Sequence, residues 1–167
     1  MTELLGVELR YIMRENNMKI KLLARTITYD KDAKKILLVK NKGAGFWYAP
    51  GGGWEYEKEN ILECAKREVH EETGMTVEVK RLLYVQEFHE SADSIFFETF
   101  WLAYPVDGQS LNEAHIDLDP NGMVEAAKWY NKEELQDLKV FPKRLKNTFW
   151  DYVDSFLEGE DPFIGVS

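Results

Sequence analysis

The sequence predicts an α/β domain in which a sheet is packed between helices. Three observations lead there. Runs rich in Ile, Leu, Val, Thr and aromatic residues read as strands on both sides of one well-delimited amphipathic helix. A second apolar repeat at helical spacing follows near the C-terminus, so strands and helices come in mixed order. The 167 residues are 44% hydrophobic, enough for one core of ordinary proportions and too few for two domains.

Taken in order, residues 19–29 are rich in Ile, Leu and Thr and read as a strand, residues 30–33 as its turn, and residues 35–39 as the returning strand of a hairpin. Residues 41–46 form a Gly-containing loop, and residues 47–49 are short and apolar. Pro50-Gly51-Gly52-Gly53 reads as an irregular connection, because proline and three glycines suit neither a helix nor a central strand. Residues 60–73 read as a helix with Ile61, Leu62, Ala65 and Val69 on one side, closed by Gly74 as a left-handed cap. Residues 76–86, 94–104 and 124–130 read as further strands, the middle one carrying Ile95, Phe96, Phe97, Phe100 and Trp101. Asn131 caps a short helix through Leu135. After Pro142, the spacing of Leu145, Phe149, Val153, Phe156 and Leu157 predicts a C-terminal amphipathic helix.

Composition narrows the function. There is no internal repeat, linker or low-complexity tract, so residues 1–167 are read as one domain. No apolar run of about 18 residues exists, and Glu3, Glu8 and Arg10 interrupt the N-terminal leucines. A soluble, unprocessed chain with no membrane partner is expected, cytoplasmic by default. The single cysteine, Cys64, excludes an internal disulfide and a thiolate metal cage, and is most simply a small buried hydrophobe. A net charge of -9 argues against a sequence-independent grip on long nucleic acid. An acidic chain that handles phosphate needs a bridging cation.

Three glutamates, Glu68, Glu71 and Glu72, fall in the last turns of the central helix. With Ile61 at zero and about 100° per residue, the apolar arc runs to about 100°, Glu72 falls near 20°, Glu68 near -20° and Glu71 near -80°. Glu72 thus lies inside the apolar arc and Glu68 on its border, while Glu63, Lys66 and His70 fall on the opposite, solvated side. A Glu-rich helix is ordinarily a water-facing surface. Carboxylates crowded beside an apolar stripe are different: they repel one another and resist desolvation, so something positive must hold them. A cluster of hard oxygen ligands suits Mg²⁺ or Mn²⁺.

Those residues resemble the Nudix hydrolase family in full. Its box reads Gly, five residues, Glu, seven residues, Arg-Glu, an aliphatic, any residue, Glu-Glu, any residue, Gly, an aliphatic. Gly53, Glu59, Arg67, Glu68, Val69, Glu71, Glu72, Gly74 and Met75 fill every position. Further likeness lies in Leu37-Leu38-Val39, in Trp47-Tyr48-Ala49-Pro50-Gly51-Gly52 and in Lys128-Trp129-Tyr130, over residues 18–138; Ala49 stands where the family often has Leu. The resemblance implies a Nudix-type α/β/α sandwich around a mixed β-sheet. It also implies Mg²⁺- or Mn²⁺-dependent hydrolysis of a pyrophosphate bond in a nucleoside diphosphate derivative, a small-molecule substrate. Residue by residue, it makes Glu68, Glu71 and Glu72 the metal ligands and catalytic carboxylates, with Glu68 also orienting or deprotonating the attacking water. Arg67 is implied as their orienting partner and Glu59 as a structural residue near the loop. Gly51, Gly52 and Gly53 let backbone approach the site.

Weaker candidates stand beside ordinary readings. Glu125 is the first choice for a further metal ligand, with Asp117 and Asp119 behind it, although exposed acids are common. Arg25 and Lys40 are candidates to reach phosphate, or solvated cations at strand edges. His89 and His115 have the titration range of a general base, yet a lone His is more often structural; His70 is assigned no role. Among Phe46, Trp47, Tyr48, Trp54 and Tyr56, one or two are expected to stack on a base and the rest to pack the loop. Phe149, Trp150 and Phe156 read as core or as a homodimer contact. Two rival functions remain: a nucleotide-binding module without hydrolysis, which the intact glutamates oppose, and an isoprenoid diphosphate isomerase, which needs a cysteine outside this helix.

Overall fold

β-branched and aromatic residues dominate the strands, and the sheet they build is bent by one splayed hairpin. A computed structural model describes residues 18–106, 119–163 and 165. In chain order the elements are β1 (Lys19–Asp30), β2 (Lys35–Asn41), β3 (Trp47–Tyr48), β4 (Gly51–Gly53), α1 (Ile61–Thr73), β5 (Val77–Ser91), β6 (Ser94–Pro105), β7 (Val124–Tyr130), β8 (Val140–Phe141) and α2 (Thr148–Tyr152). The hairpin of β1 and β2 pairs only at its tip, Tyr29 with Ile36 and Asp30 with Lys35. Beyond it the two strands diverge into two half-sheets. β1 runs parallel to β6, which pairs antiparallel with β5. β2 pairs antiparallel with β3 and β7, and β3 lies parallel to β8.

The glycine run departs from the expected irregular connection. Gly51–Gly53 forms β4, antiparallel to β1 with Leu23 opposite Gly53 and Arg25 opposite Gly51. Missing side chains are what allow the approach: a Cβ on Gly51, whose φ is 151°, would lie 2.2 Å from the Ala24 carbonyl oxygen.

Side chains alternate across the half-sheets and bury against helices on either face. On one side Cys64, Ala65 and Val69 of α1 meet Ala24, Leu37, Trp101 and Ala103. On the other, Ile27, Tyr29, Ile36, Leu38, Phe100 and Leu102 pack against Leu135, Leu145, Phe149 and Val153. The result is the expected layering of helix, mixed sheet and helical segment. Burying each Leu, Ile, Val or Phe among them contributes roughly 1.5–3 kcal/mol.

The C-terminal layer is not the single helix expected. Two 3₁₀ turns, Lys143–Lys146 and Val153–Ser155, flank the five-residue α2. Asn147 leaves helical geometry (φ -142°, ψ -85°), and its side-chain oxygen accepts the Thr148 N–H over 2.6 Å. An asparagine that offers its own acceptor competes with the helix ladder. Likewise the expected helix after Asn131 is a series of turns over residues 132–137. Asn131 and Glu134 do form a reciprocal cap (2.9 and 2.8 Å), but one turn is too short to propagate. No helix among the described residues is long and apolar enough to cross a membrane.

Candidate active site

Helix α1 is delimited by local chemistry at both ends. Asn60 accepts the N–H groups of Leu62 and Glu63, and Glu63 accepts the N–H of Asn60, a capping box of about 1 kcal/mol. Gly74 closes the helix in the left-handed conformation at φ 71°. The helix then shows water the side chains the wheel assigns to it: Glu63, Lys66 and His70 are exposed, whereas Cys64, Ala65 and Val69 are fully buried.

Arg67 joins the carboxylates. Its Nε and Nη2 grip both oxygens of Glu59 (2.9 and 2.6 Å), and its Nη1 bonds Glu68 at 2.7 Å and Glu71 at 3.0 Å. The Arg67 hydrogen bonds hold the Glu59 carboxyl below its ordinary range, and Glu59 in turn pushes the guanidinium pKa further up. Glu68 behaves oppositely: burial raises it, against the opposing bond from Arg67.

Among the described residues no cationic side chain bonds Glu72, although the Arg25 charge reaches it. Among the described residues its one hydrogen bond comes from the Gly51 N–H, at 2.9 Å. Burial, opposed by that bond and reinforced by Glu68, pushes its pKa up to about 8. The neighbouring Gly52 leaves room for Glu68, since a Cβ there would lie 2.6 Å from the Glu68 carboxyl carbon. Strand β4 therefore adjoins two of the three clustered helix carboxylates, Glu68 and Glu72.

A cavity of about 520 Å³ opens between the half-sheets. Phe88, Phe96 and Phe100 come from the first half, and Phe46, Tyr48 and Phe141 from the second; Arg25, Gln86, Glu98, Glu72 and Gly51 also line it. Burial, then the Glu72 charge, raises the Tyr48 hydroxyl. Arg25, the phosphate candidate, is engaged inside: Nε bonds Glu98 at 2.6 Å, Nη1 lies 3.4 Å from the carbonyls of Ala49 and Gly51, and the guanidinium sits 5.4 Å from the Tyr48 ring centre.

Other candidates are dispersed. Lys40 pairs with Glu125 at 3.5 Å on the β2–β7 side, and neither lines the cavity. Asp119 accepts N–H groups from Asn121, Met123 and Val124, and its charge acts on Glu72. His89 is exposed and bonds Glu87 at 2.6 Å, on a strand that runs five residues past its expected end. Asp117 and His115 lie outside the described residues. Of the aromatics, Trp47 packs on Tyr130, and Trp54 on Tyr56, away from the cavity. Phe149 and Trp150 stack edge-on with Tyr29 as core. Glu98, Gln86, Phe88 and Phe141 were not singled out from the sequence; the one signal was a lone charge, Glu98, in an otherwise uncharged strand.

Among the described residues, no three His, Cys, Asp or Glu side chains are already gathered as a metal cage; the Arg67 guanidinium stands between Glu59, Glu68 and Glu71 instead. The donor set nevertheless fits a hard divalent cation. It consists of carboxylate oxygens, and among the described residues no cationic side chain is bonded to the desolvated Glu72.

Box and fold point to one class. The chain belongs to the NUDIX domain family, whose model matches residues 21–150. Among curated relatives, it is 29% identical over 134 residues to putative nudix hydrolase 1 of Caenorhabditis elegans, covering 78% of this chain and 34% of that protein. Nudix hydrolase 6 of Arabidopsis thaliana is 32% identical over 111 residues, covering 63% of this chain and 37% of that protein. The chain thus spans about a third of the length of these two relatives. In fold it is similar to the crystal structure of a MutT NUDIX hydrolase from Burkholderia pseudomallei, with a TM-score of 0.61 at 23% identity over 77% of this chain and 95% of that one.

Proposed function

We propose that the chain hydrolyses a pyrophosphate bond in a nucleoside diphosphate linked to a further moiety, with Mg²⁺ or Mn²⁺ held by Glu68, Glu71 and Glu72. One observation carries this reading: Glu72, a desolvated box carboxylate, lines the same cavity as six aromatic side chains. A cation-seeking helix face and a nucleoside-sized space share a wall. The cavity volume falls in the range of roughly 300–1,000 Å³ typical of small-molecule sites.

When bound, the cation supplies charge neutralisation at the pyrophosphate oxygens and acidifies water. The chain's own residues do the rest. Arg67 orients Glu68 and Glu71 by bonding both from one nitrogen. Glu68, raised by burial, is the acceptor for the water proton. The Gly51 N–H aims Glu72, and the small Gly52 keeps the Glu68 carboxylate free to reach substrate.

The isomerase alternative meets a specific obstacle. Cys64 is fully buried, and burial pushes its thiol up to about 12, the wrong direction for a reactive thiolate.

The test is turnover of nucleoside triphosphates, ADP-ribose, dinucleoside polyphosphates and nucleotide sugars in Mg²⁺ and in excess EDTA. The reading expects cleavage of at least one substrate with Mg²⁺ and none with EDTA. Full turnover in EDTA, or inertness toward the whole panel, contradicts it.

A further inference from the structure

We infer that the cavity selects a guanine base, read by Glu98 with Gln86 beside it. The inference rests on the cavity being the nucleoside site of the proposed reaction. Glu98 is 7% exposed and lines the cavity from β6. Its Oε1 is tied to Arg25 at 2.6 Å, and among the described residues Oε2 has no hydrogen-bond donor. On the wall of the cavity, a carboxylate with no donor to Oε2 and a second lone pair left on Oε1 can accept two adjacent N–H groups from whatever enters.

Base chemistry then discriminates. A carboxylate only accepts, so it suits an edge that offers adjacent donors. Guanine offers N1–H beside its exocyclic N2 amine. Adenine and cytosine set a ring acceptor next to their amine, and uracil flanks its single N–H with two carbonyls, so each of these would turn a lone pair toward Glu98. Hypoxanthine keeps N1–H but lacks the amine.

Guanine also has O6, an acceptor beside N1, and it needs a donor. Gln86 is the cross-strand partner of Glu98 in the β5–β6 ladder, which puts the two side chains on one face about 5 Å apart. Both line the cavity, and the Gln86 amide supplies the N–H. Two residues along, Phe88 and Phe96 are also partners, with ring centres 6.2 Å apart. They give the base an apolar wall on which to stack, a contact that all bases share and that therefore selects none.

Equilibrium binding of GMP, IMP, AMP, CMP and UMP to the full chain in EDTA separates recognition from hydrolysis. GMP is expected to bind roughly 10-fold or more tighter than each of the others, the scale of one well-made paired contact to a base edge. In Glu98→Gln the carboxylate becomes an amide that points N–H at N–H, and the GMP preference over IMP should shrink to within about 3-fold. Wild-type data alone decide the matter should that variant fold poorly. IMP or AMP binding as tightly as GMP, or GMP not binding at all, overturns the inference, as does an unchanged preference in a folded Glu98→Gln. Mg²⁺-dependent hydrolysis without base preference would overturn this inference alone. GMP selectivity without hydrolysis of any substrate would support it and overturn the reaction proposed above.

Discussion

The Gly51 N–H donates to the Glu72 carboxylate over 2.9 Å, and among the described residues it is the one hydrogen bond on a carboxyl that burial and the Glu68 charge drive toward protonation. The consequence for stability has a definite sign. Glu72 keeps its proton to about pH 8 when folded, against an ordinary value of 4.5, so the folded state binds the extra proton between those values. Its contribution is full below pH 4.5 and is lost as pH rises toward 8. The metal-free protein should therefore melt at progressively lower temperature across that window, and Glu72→Gln should flatten the decline. Melting curves in EDTA from pH 5 to 8 check this; equal declines in both proteins would show that Glu72 is not the group responsible.

Arg67→Ala should impair turnover far more than Glu63→Ala or Lys66→Ala. Arg67 holds Glu59, Glu68 and Glu71 together, whereas Glu63 and Lys66 are exposed. A loss of roughly 10²-fold is expected for Arg67→Ala, the scale of removing one strong electrostatic group, and less than about 3-fold for Lys66→Ala. Glu63→Ala should instead weaken the helix cap by about 1 kcal/mol. Steady-state kinetics on all three variants is the check, and similar rates would refute the division of the helix into two faces.

Gly52→Ala and Gly51→Ala should fail in different ways. At Gly52 the three atoms nearest a Cβ all belong to the movable carboxyl end of Glu68, so turnover should fall about 10-fold or more while stability changes by less than about 1 kcal/mol. At Gly51 a Cβ meets the backbone of Ala24 at 2.2 Å, and φ is 151°, so the fold itself should weaken. Urea denaturation beside kinetics separates the two. Equal destabilisation at both positions would contradict the geometry of β4.

The C-terminal layer is a stability element. Phe149 is fully buried against Tyr29, Trp150 and Phe156, so Phe149→Ala should cost about 3–5 kcal/mol. Leu157 is 47% exposed, and Leu157→Ala should change stability by less than about 0.5 kcal/mol. Denaturant midpoints of the two variants measure the contrast; indifference to Phe149→Ala would remove the segment from the core.

What could be read from the sequence followed from how local each signal was. Helix α1 was legible because Asn60, the 3.6-residue apolar repeat and Gly74 agree within one stretch, and the half-buried position of Glu72 followed from the same wheel. Strand β4 was not: three glycines speak locally for a turn, and their strand character comes from pairing with Leu23, Ala24 and Arg25, thirty positions earlier at the widest. Residues 87–91 are exposed, and only pairing across to β6 makes them a strand. The C-terminal helix failed at Asn147, where a side-chain acceptor outcompeted the ladder, and again at Tyr152, whose backbone (φ -123°, ψ -2°) leaves the helical region. Arg25 was noticed as a cation, but its partner Glu98 lies 73 residues away, and no local pattern links them.

Glu72→Gln, assayed for pyrophosphate-bond hydrolysis beside wild type at saturating Mg²⁺, bears most directly on whether the box carboxylates and the cavity form one catalytic site. The predicted result is a loss of roughly 10²-fold or more, in a protein whose metal-free melting temperature at pH 7 equals or exceeds that of wild type. Full turnover in a clearly destabilised variant would make Glu72 a structural residue and contradict the proposed reaction site.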